Sequence, residues 1–473
     1  MSLLRLSPLL LATFLAACDD APRFTQAEPG EALSGGKTTV SRSDRNAFSL
    51  PSANLSPERR LDFAVGNSFF RNPWVIAPST TTARDGLGPL FNTNACVNCH
   101  LRDGRGHPPE ADASNAVSML VRLSIPDQPP FMKEIERLGV VPEPVYGTQL
   151  QDMAIPGVRP EGKVRVRYDT HTVAFEDGNT VELRTPQLQI TQLGYGPMHP
   201  DTRFSARIAP PMIGLGLLEA IPEADILANA DPDDRNGDSI RGRPNRVWDQ
   251  AQQKTVLGRF GWKAGQPTVE QQNVHAFAGD MGLTTTLQPL DDCTQAQTDC
   301  RNAPNGDGAD GEKEVSDNIL RLVTFYTRNL GVPARRKVDA PQVLAGKNLF
   351  FEAGCQACHT PQFTTAANAD EPELAGQTIR PYSDLLLHDM GPGLADNRSE
   401  FAAGGQDWRT PPLWGIGLTE AVSGHTQFLH DGRARNLLEA VLWHDGEAAS
   451  ARRHVLTFDA EQRAALLAFL NSL

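Results

Sequence analysis

The sequence predicts a mainly α-helical protein made of two related halves, with a small β-hairpin insertion and long loops. Two observations support this prediction. The pattern Cys-x-x-Cys-His occurs twice, at 96–100 and 355–359, and similar segments flank the two copies in the same order. Apolar residues also recur at helical spacing near the end of each half, at 319–326 and 466–470, which is typical of an amphipathic helix.

The N-terminus has the composition of an export signal over residues 1–17. Arg5 precedes a short apolar run that cannot span a bilayer. Cys18 stands where lipoprotein processing would attach a lipid, although an ordinary signal with an incidental cysteine has the same form. Asp19 resembles the residue that retains some lipoproteins at the inner membrane. We therefore expect a periplasmic protein, anchored at the inner membrane only through Cys18, with 18–50 as a flexible tether.

Composition bounds the remainder of the chain. With 473 residues, 40% of them hydrophobic, the protein is large enough for two or three domains. The formal net charge of -13 argues against nucleic acid as a partner and favours a basic partner or simple solubility. We expect one domain over 51–334 and a second over 335–473, joined near the Pro- and charge-rich stretch 333–341.

The Cys-x-x-Cys-His motif has a specific chemical meaning. In a c-type cytochrome both thiols add to the vinyl groups of haem and the adjacent histidine binds the iron, so chemistry fixes the spacing. A redox dithiol or half of a zinc site is the alternative, but a zinc site needs a second pair nearby. We therefore expect two covalently bound haem c groups. Their attachment residues are Cys96, Cys99 and His100 in the first half, and Cys355, Cys358 and His359 in the second.

The segments around the two motifs indicate an internal duplication. Residues 66–70 before the first motif are similar to 346–351 before the second, and both resemble the first helix of a cytochrome c domain. Residues 207–220 are likewise similar to 409–421. We therefore expect two cytochrome c-like domains, each carrying one haem and each closed by one amphipathic helix.

Two insertions distinguish the first half. Alternating β-prone residues over 163–183, with a turn at Asp177-Gly178, predict a β-hairpin. The acidic segment 231–245 is similar to a calcium-binding loop, although Pro232 stands where the first ligand belongs. Either one calcium ion or a plain acidic turn is expected there.

The seven cysteines divide by function. One is assigned to the lipid and four to haem, which leaves Cys293 and Cys300 to pair with each other. We expect a structural disulfide that closes a short loop, with a redox-active dithiol as the alternative.

Further motifs resemble the bacterial di-haem cytochrome c peroxidase superfamily. FLHDGRA at 428–434 and LLEAV at 437–441 carry this resemblance together with the two haem motifs. Other segments, spread between about residue 55 and residue 473, are similar to the di-haem oxidoreductase family, which is also described as thiol-oxidoreductase-like. They are DGLGPLF at 85–91, DGRG at 103–106, LHDMG at 387–391 and WHDG at 443–446.

The resemblance implies a periplasmic di-haem oxidoreductase with peroxidase-like activity. The haem on His100 is then the reaction site for peroxide or another small oxidisable substrate. The haem on His359 exchanges electrons with a redox partner protein, a small cytochrome or a cupredoxin-like protein. Two alternatives stay open: a pure electron-transfer di-haem cytochrome, and an oxidase of a protein or iron substrate.

The resemblance also suggests the ligands of the second haem. His444 stands where the superfamily has a distal Met or Tyr, so we expect it to bind the iron opposite His359. Histidine is a stronger donor to ferric iron than methionine, and this haem should therefore have a lower potential than a Met-ligated one. Met390 and His388 are the alternative ligands.

Above the first haem, peroxidases carry a Gln and, about ten residues later, an acid before Met-Gly. Gln271 and Asp280 match these positions, and Asp280 is expected to move the proton of peroxide during O–O cleavage. The alternative is that Asp280 caps a helix and Gln271 lies on a solvated face. His199 matches a dissociable iron ligand of the peroxidases, whereas the internal repeat favours His275 for that role; both stay open.

Overall fold

The computed structural model describes residues 23–110, 117–129, 131–308 and 310–473, so the expected export signal and Cys18 lie outside the described residues. Helices account for 29% of the structure and strands for 17%, and the strands form several small two-stranded antiparallel sheets. The expectation of a mainly α protein with two cytochrome c-like domains is therefore wrong. The physical reason is that the long segments between the repeated helices favour strand pairs and irregular loops over additional helices.

Helices and strands alternate along the chain in short elements. The helices are α1 (Arg59–Arg71), α2 (Cys96–Cys99), α3 (Met132–Leu138), α4 (Leu215–Glu219), α5 (Glu223–Leu227), α6 (Val269–Met281), α7 (Thr298–Arg301), α8 (Asp317–Arg328), α9 (Pro341–Glu352), α10 (Thr419–Ser423), α11 (Leu437–Leu442), α12 (Ala449–Thr457) and α13 (Ala460–Ser472). The strands are β1 (Leu90–Phe91), β2 (Met119–Ser124), β3 (Met153–Ala154), β4 (Lys163–Ala174), β5 (Thr180–Thr191), β6 (Arg203–Ile208), β7 (Arg246–Asp249), β8 (Lys254–Leu257), β9 (Phe363–Thr364), β10 (Thr378–Ile379), β11 (Leu387–Asp389) and β12 (Asp407–Arg409). Their antiparallel pairs are β1–β3, β2–β6, β4–β5, β7–β8, β9–β10 and β11–β12. In the part of the chain that the structure describes, no helix has the length and apolar content needed to cross a bilayer.

The duplication is visible as one helix contact that occurs twice. In the first half α1 packs against α8, and in the second α9 packs against α13. Gly66 and Gly346 lie at these contacts, where an added Cβ would stand 2.1 Å from the carbonyl oxygen of Leu322 and 1.9 Å from that of Ala465, respectively. Only glycine permits such close helix approach, which explains why both related segments carry it.

The predicted β-hairpin is present and longer than expected. Strands β4 and β5 pair from Lys163 with Thr191 to Ala174 with Thr180, so each strand has 12 residues. The hairpin contributes buried Val164, Val166 and Leu183 to the largest apolar core cluster. That cluster also contains residues of α9, α11 and α13, so the insertion of the first half packs against the second half.

Part of the segment assigned to the flexible tether packs against the body. Glu31 is 1% exposed and forms ion pairs with Arg335 and Lys347. Val40 and Phe48 are buried as well. The local sequence around Glu31, Val40 and Phe48 has no apolar period, and for that reason it predicts a tether. Contacts with residues distant in the sequence hold these side chains in place instead.

The two remaining sequence features have separate outcomes. The disulfide between Cys293 and Cys300 is confirmed. In the segment 231–245, Asp231 accepts hydrogen bonds from the backbone N–H groups of Arg235 and Asn236, which is the geometry of an acidic turn. Among the described residues there is no group of three or more His, Cys, Asp or Glu side chains placed to hold a metal ion, and this loop gives no support to a calcium site.

Candidate haem sites

The first motif lines a cavity in the first half. Helix α2 is a single turn, and it brings Cys96, Cys99 and the following His100 to one wall. His100 Nδ1 lies 2.9 Å from the carbonyl oxygen of Pro210. Because a carbonyl only accepts, Nδ1 carries the proton and Nε2 keeps its lone pair. Burial lowers the pKa of His100 to about 4, so the ring is neutral at pH 7, as a metal ligand must be.

Both halves of the chain build this cavity. The wall from the first half includes Met212 and Phe277, and the second half contributes Phe401, Pro411 and Trp414. Closing the cavity therefore requires residues from beyond the predicted junction near 333–341.

Two buried arginines give the cavity an unbalanced positive charge. Arg105 and Arg409 line it, are 7% exposed each, and form no ion pair with a carboxylate of the described residues. Arg105 Nε has no hydrogen-bond partner there. Burial lowers the pKa of both guanidinium groups to about 10. A buried cation is costly without an anion beside it, and the two propionates of haem are such anions. The lining residues therefore fit haem.

Asp280 lies at the end of α6 and lines the same cavity. Its Oδ1 accepts a hydrogen bond of 2.9 Å from Gln149 Nε2, and Gln149 Nε2 is also 2.8 Å from Asn92 Oδ1. Burial raises the pKa of Asp280, while Arg122 and the Gln149 hydrogen bond oppose this change. A carboxyl group with a raised pKa, held by a fixed amide, is suited to exchanging a proton inside a cavity.

Gln271 also lines the cavity, but its amide is already satisfied. Its Oε1 accepts from the backbone N–H of Gln250 at 2.8 Å, and its Nε2 donates to the carbonyl of Trp248 at 3.0 Å. The side chain is 4% exposed. Gln271 therefore holds the start of α6 against the β7–β8 turn rather than presenting free hydrogen-bonding groups.

The two histidines proposed as dissociable ligands have different locations. His199 has a side chain that is 35% exposed and accepts a hydrogen bond from the backbone N–H of Asp201, and it is not among the cavity-lining residues. His275 lines the cavity, but its two ring nitrogens lie 3.1 Å from the amide nitrogens of Gln250 and Gln266. The structure brings His275 to the first site and leaves His199 outside it.

The second motif forms a separate site. Cys355 begins a 3-10 turn that ends at Ala357, and His359 Nδ1 donates to the carbonyl of Tyr382 at 2.9 Å. His444 follows α11, and its Nδ1 donates to the carbonyl of Ala440 at 2.8 Å. Burial lowers the pKa of His359 to about 4 and lowers that of His444 as well. Both rings are thus neutral, with Nε2 free.

The spacing of these two rings fits one metal between them. Their centres are 6.4 Å apart. A metal–imidazole bond is about 2 Å long and the ring centre lies about 1.2 Å behind the nitrogen, so two rings on opposite sides of one metal have centres roughly 6.4 Å apart. The pair His359 and His444 therefore has the separation expected of two axial haem ligands.

His388, the first alternative ligand, is occupied by two carboxylates. Its Nε2 lies 2.8 Å from Asp384 Oδ2 and its Nδ1 lies 2.7 Å from Glu447 Oε2. Burial alone would lower the pKa of His388, but the two carboxylates raise it well above its ordinary value. A protonated ring with both nitrogens engaged cannot bind iron. Met390, the second alternative, packs partly buried against the largest core cluster.

Two sites, each with a pair of unbridged thiols and a neutral histidine, are the arrangement expected of a protein that holds two haems. The family described as "di-haem oxidoreductase, putative peroxidase" matches residues 30–473, and the chain belongs to this family. No curated protein and no solved structure matches the chain. The resemblance inferred from the sequence motifs is confirmed, and with it a di-haem oxidoreductase class.

Sequence reasoning missed three residues that the structure places at the first site. Arg105 belongs to the DGRG segment at 103–106, and Arg409 is the first residue of the repeated segment 409–421. Both therefore lie within motifs that the sequence had already indicated. Gln149 carried no such signal, because nothing near it in the chain indicates that it would meet Asp280, 131 residues later.

Proposed function

We propose that this protein is a periplasmic di-haem c-type oxidoreductase with peroxidase-like activity, in which the first haem is the reaction site and the second transfers electrons. The observation that carries the proposal is that the two motif histidines face different surroundings. His359 faces a second neutral histidine, His444, at the spacing of two axial ligands. His100 instead opens onto a cavity that contains the carboxyl group of Asp280.

The first site divides its tasks among identified residues. Cys96 and Cys99 would attach the haem, His100 Nε2 would bind its iron, and Arg105 and Arg409 would neutralise its propionates. The haem supplies the one-electron redox chemistry of its iron.

Proton movement at this site is the task of the protein. Asp280, held by Gln149, would take the proton of peroxide and return it to the departing oxygen, and cleavage of the O–O bond needs that transfer. Its raised pKa brings the carboxyl group closer to neutral pH, where proton exchange is most effective.

The second site is suited to electron exchange. Cys355 and Cys358 would attach the haem, and His359 and His444 would both bind its iron, which favours electron exchange over substrate binding. Two histidines favour a lower potential than a Met-ligated haem. The net charge of -13 favours a basic redox partner, a small cytochrome or a cupredoxin-like protein. Export to the periplasm and a lipid on Cys18 are supported by the N-terminal sequence.

One experiment tests the division of roles. Exported holoprotein, with a mass increased by two haems, is examined by electron paramagnetic resonance and then mixed with peroxide in a stopped-flow spectrometer. We expect one low-spin haem that is inert to peroxide and a second haem that reacts. Asp280→Asn should lower the rate of that reaction at least about 100-fold with haem content unchanged.

Asp201→Asn is the matched control, because its carboxylate is 66% exposed and lies outside the cavity. It should react with peroxide like the unaltered protein. Two low-spin haems that stay inert to peroxide and carbon monoxide in every redox state would replace the proposal with a pure electron carrier.

A further inference from the structure

The β4–β5 hairpin is an insertion of the first half, but its tip lies on the second half. The backbone N–H of Glu176 donates to the carbonyl of Leu456 at 3.0 Å. Arg463 Nη2 lies 2.8 Å from Asp177 Oδ2, and the same guanidinium stacks 4.2 Å from the ring centre of Phe175. The tip is therefore fixed to α12 and α13 by a backbone hydrogen bond, an ion pair and a cation–π contact.

The middle of the hairpin holds the loop that precedes α11. Arg184 Nε donates to the carbonyl of Arg433 at 2.7 Å, and its Nη2 lies 2.9 Å from Gln427 Oε1 and 3.0 Å from the carbonyl of Gly432. In return, Arg435 Nη2 donates to the carbonyl of Glu182 at 2.5 Å. These charge-assisted bonds connect strand β5 to residues 427–435 at several points.

The opposite strand reaches the other end of α11. The ring centre of His171 lies 5.3 Å from that of Trp443, and the rings are inclined by 84°. Trp443 is buried, directly follows α11 as its C-cap residue and immediately precedes His444. The hairpin consequently contacts the chain on both sides of the short helix that presents His444.

Helix α11 needs such support because it has six residues, Leu437–Leu442. A helix this short is not stable by itself, and its position is set by its tertiary contacts. Its own local contacts are the cap from Asn436 and the ion pair between Arg435 and Glu439, and Arg435 is also bonded to the hairpin.

We propose that the β4–β5 hairpin is a strap that positions His444 and keeps the second haem six-coordinate. The inference rests on the proposed ligation by His444. His171 and Arg184 are positioning residues, since they touch the chain beside the ligand and neither the haem nor a substrate. Loosening the strap raises the population in which His444 is displaced, and the vacated position then accepts an external ligand.

The test measures carbon monoxide binding to the reduced holoprotein and the low-spin signal of the oxidised one. In the unaltered protein the second haem should exclude carbon monoxide. In His171→Ala/Arg184→Ala, we expect carbon monoxide to reach the second haem at least about tenfold faster and part of the ferric low-spin signal to become high-spin, because several hydrogen bonds and a ring contact are lost. His171→Phe preserves the edge contact with Trp443 and should behave like the unaltered protein.

Arg167→Ala is the matched control on the same hairpin. Arg167 is exposed and, in the described part of the chain, its side chain forms no hydrogen bond or ion pair. If the double variant binds two haems and matches Arg167→Ala in both measurements, the strap is excluded. If the double variant does not fold, His171→Ala alone takes its place, because it removes only one contact of an exposed ring. It is compared with Arg167→Ala in the same two measurements.

His444→Ala separates this inference from the proposed function. If the low-spin signal survives in His444→Ala, the ligand assignment fails, and the strap proposal fails with it. If His444→Ala abolishes the signal while the hairpin variants leave it intact, only the strap proposal fails.

Discussion

The imidazole ring centres of His359 and His444 lie 6.4 Å apart, and each ring has its Nδ1 bonded to a backbone carbonyl. The two carbonyls, those of Tyr382 and Ala440, fix the tautomer of each ring and direct Nε2 away from the backbone. This arrangement makes His444 the residue whose replacement discriminates best between the candidate ligands of the second haem.

His444→Met should raise the reduction potential of the second haem by on the order of 100 mV, since thioether ligation stabilises ferrous iron relative to imidazole. Spectroelectrochemical titration of the holoprotein measures this change. Met390→Leu is the control and should leave the potential and the low-spin signal unchanged. A change in Met390→Leu that His444→Met fails to produce would assign the ligand to Met390.

Gln149→Leu should move the pH dependence of the peroxide reaction. Gln149 donates to Asp280 Oδ1, and this bond stabilises the ionised carboxylate. Without this hydrogen bond the pKa of Asp280 rises further, because the ionised carboxylate loses a donor. The reaction needs the ionised form as the base, so its rate falls at low pH. In Gln149→Leu this fall should set in at a higher pH, which stopped-flow measurements across a pH series detect.

Gln151→Leu is the companion variant for this prediction. Gln151 is buried in the same segment and donates to the carbonyl of Gly279 at 2.8 Å, not to the carboxylate of Asp280. Gln151→Leu should lower the stability of the protein without changing the pH at which the peroxide reaction slows. If the pH dependence of the peroxide reaction is unchanged in Gln149→Leu, Asp280 is not the group whose ionisation controls the reaction.

Local sequence pattern predicted the elements whose cause is local. The hairpin predicted over 163–183 depends on alternation, and the disulfide of Cys293 with Cys300 depends on cysteine count. Both are present. The predicted fold class failed because the long connecting segments have no helical period and pair as short strands.

Contacts between distant residues were beyond local pattern. Trp414 closes the cavity of the other half, and Gln149 meets Asp280 only after the chain has folded. The burial of Glu31 is of the same kind, because its partners Arg335 and Lys347 lie about three hundred residues away in sequence. No period or motif near these residues encodes such partners, whereas a family motif was enough to propose His444 as a ligand.

Glu31→Gln should destabilise the protein by about 3 kcal/mol at pH 7, because buried Arg335 loses its carboxylate and buried Lys347 keeps only the exposed one of Glu28. Burial would raise the pKa of Glu31, but Lys347 and Arg335 lower it below its ordinary value of 4.5. A carboxyl group with a lowered folded-state pKa stabilises the fold above about pH 4.5 and loses this contribution as the pH falls through that lower pKa. The difference between variant and parent in thermal unfolding should therefore shrink at acidic pH.

Glu28→Gln serves as the comparison for Glu31. Glu28 also pairs with Lys347, but its side chain is 54% exposed, and an exposed partner contributes less than about 1 kcal/mol. Equal effects of the two substitutions would show that residues 23–50 are loosely held in solution.

Gly66→Ala and Gly346→Ala should each destabilise the protein by about 2 kcal/mol, since a methyl group at either position meets a backbone carbonyl of the facing helix at 2.1 and 1.9 Å. Each substitution also moves the helix that precedes a haem motif. Phe70 and Phe350 lie on those helices with ring centres 6.2 Å from His100 and His359, respectively. We therefore expect Gly66→Ala to broaden the absorption of the first haem and Gly346→Ala that of the second.

Gly279→Ala provides the reference in thermal unfolding, because the nearest atom to its added Cβ would be 3.7 Å away and the change favours the helix. A loss of stability in Gly279→Ala as large as that in the other two variants would contradict the close helix contact as the cause.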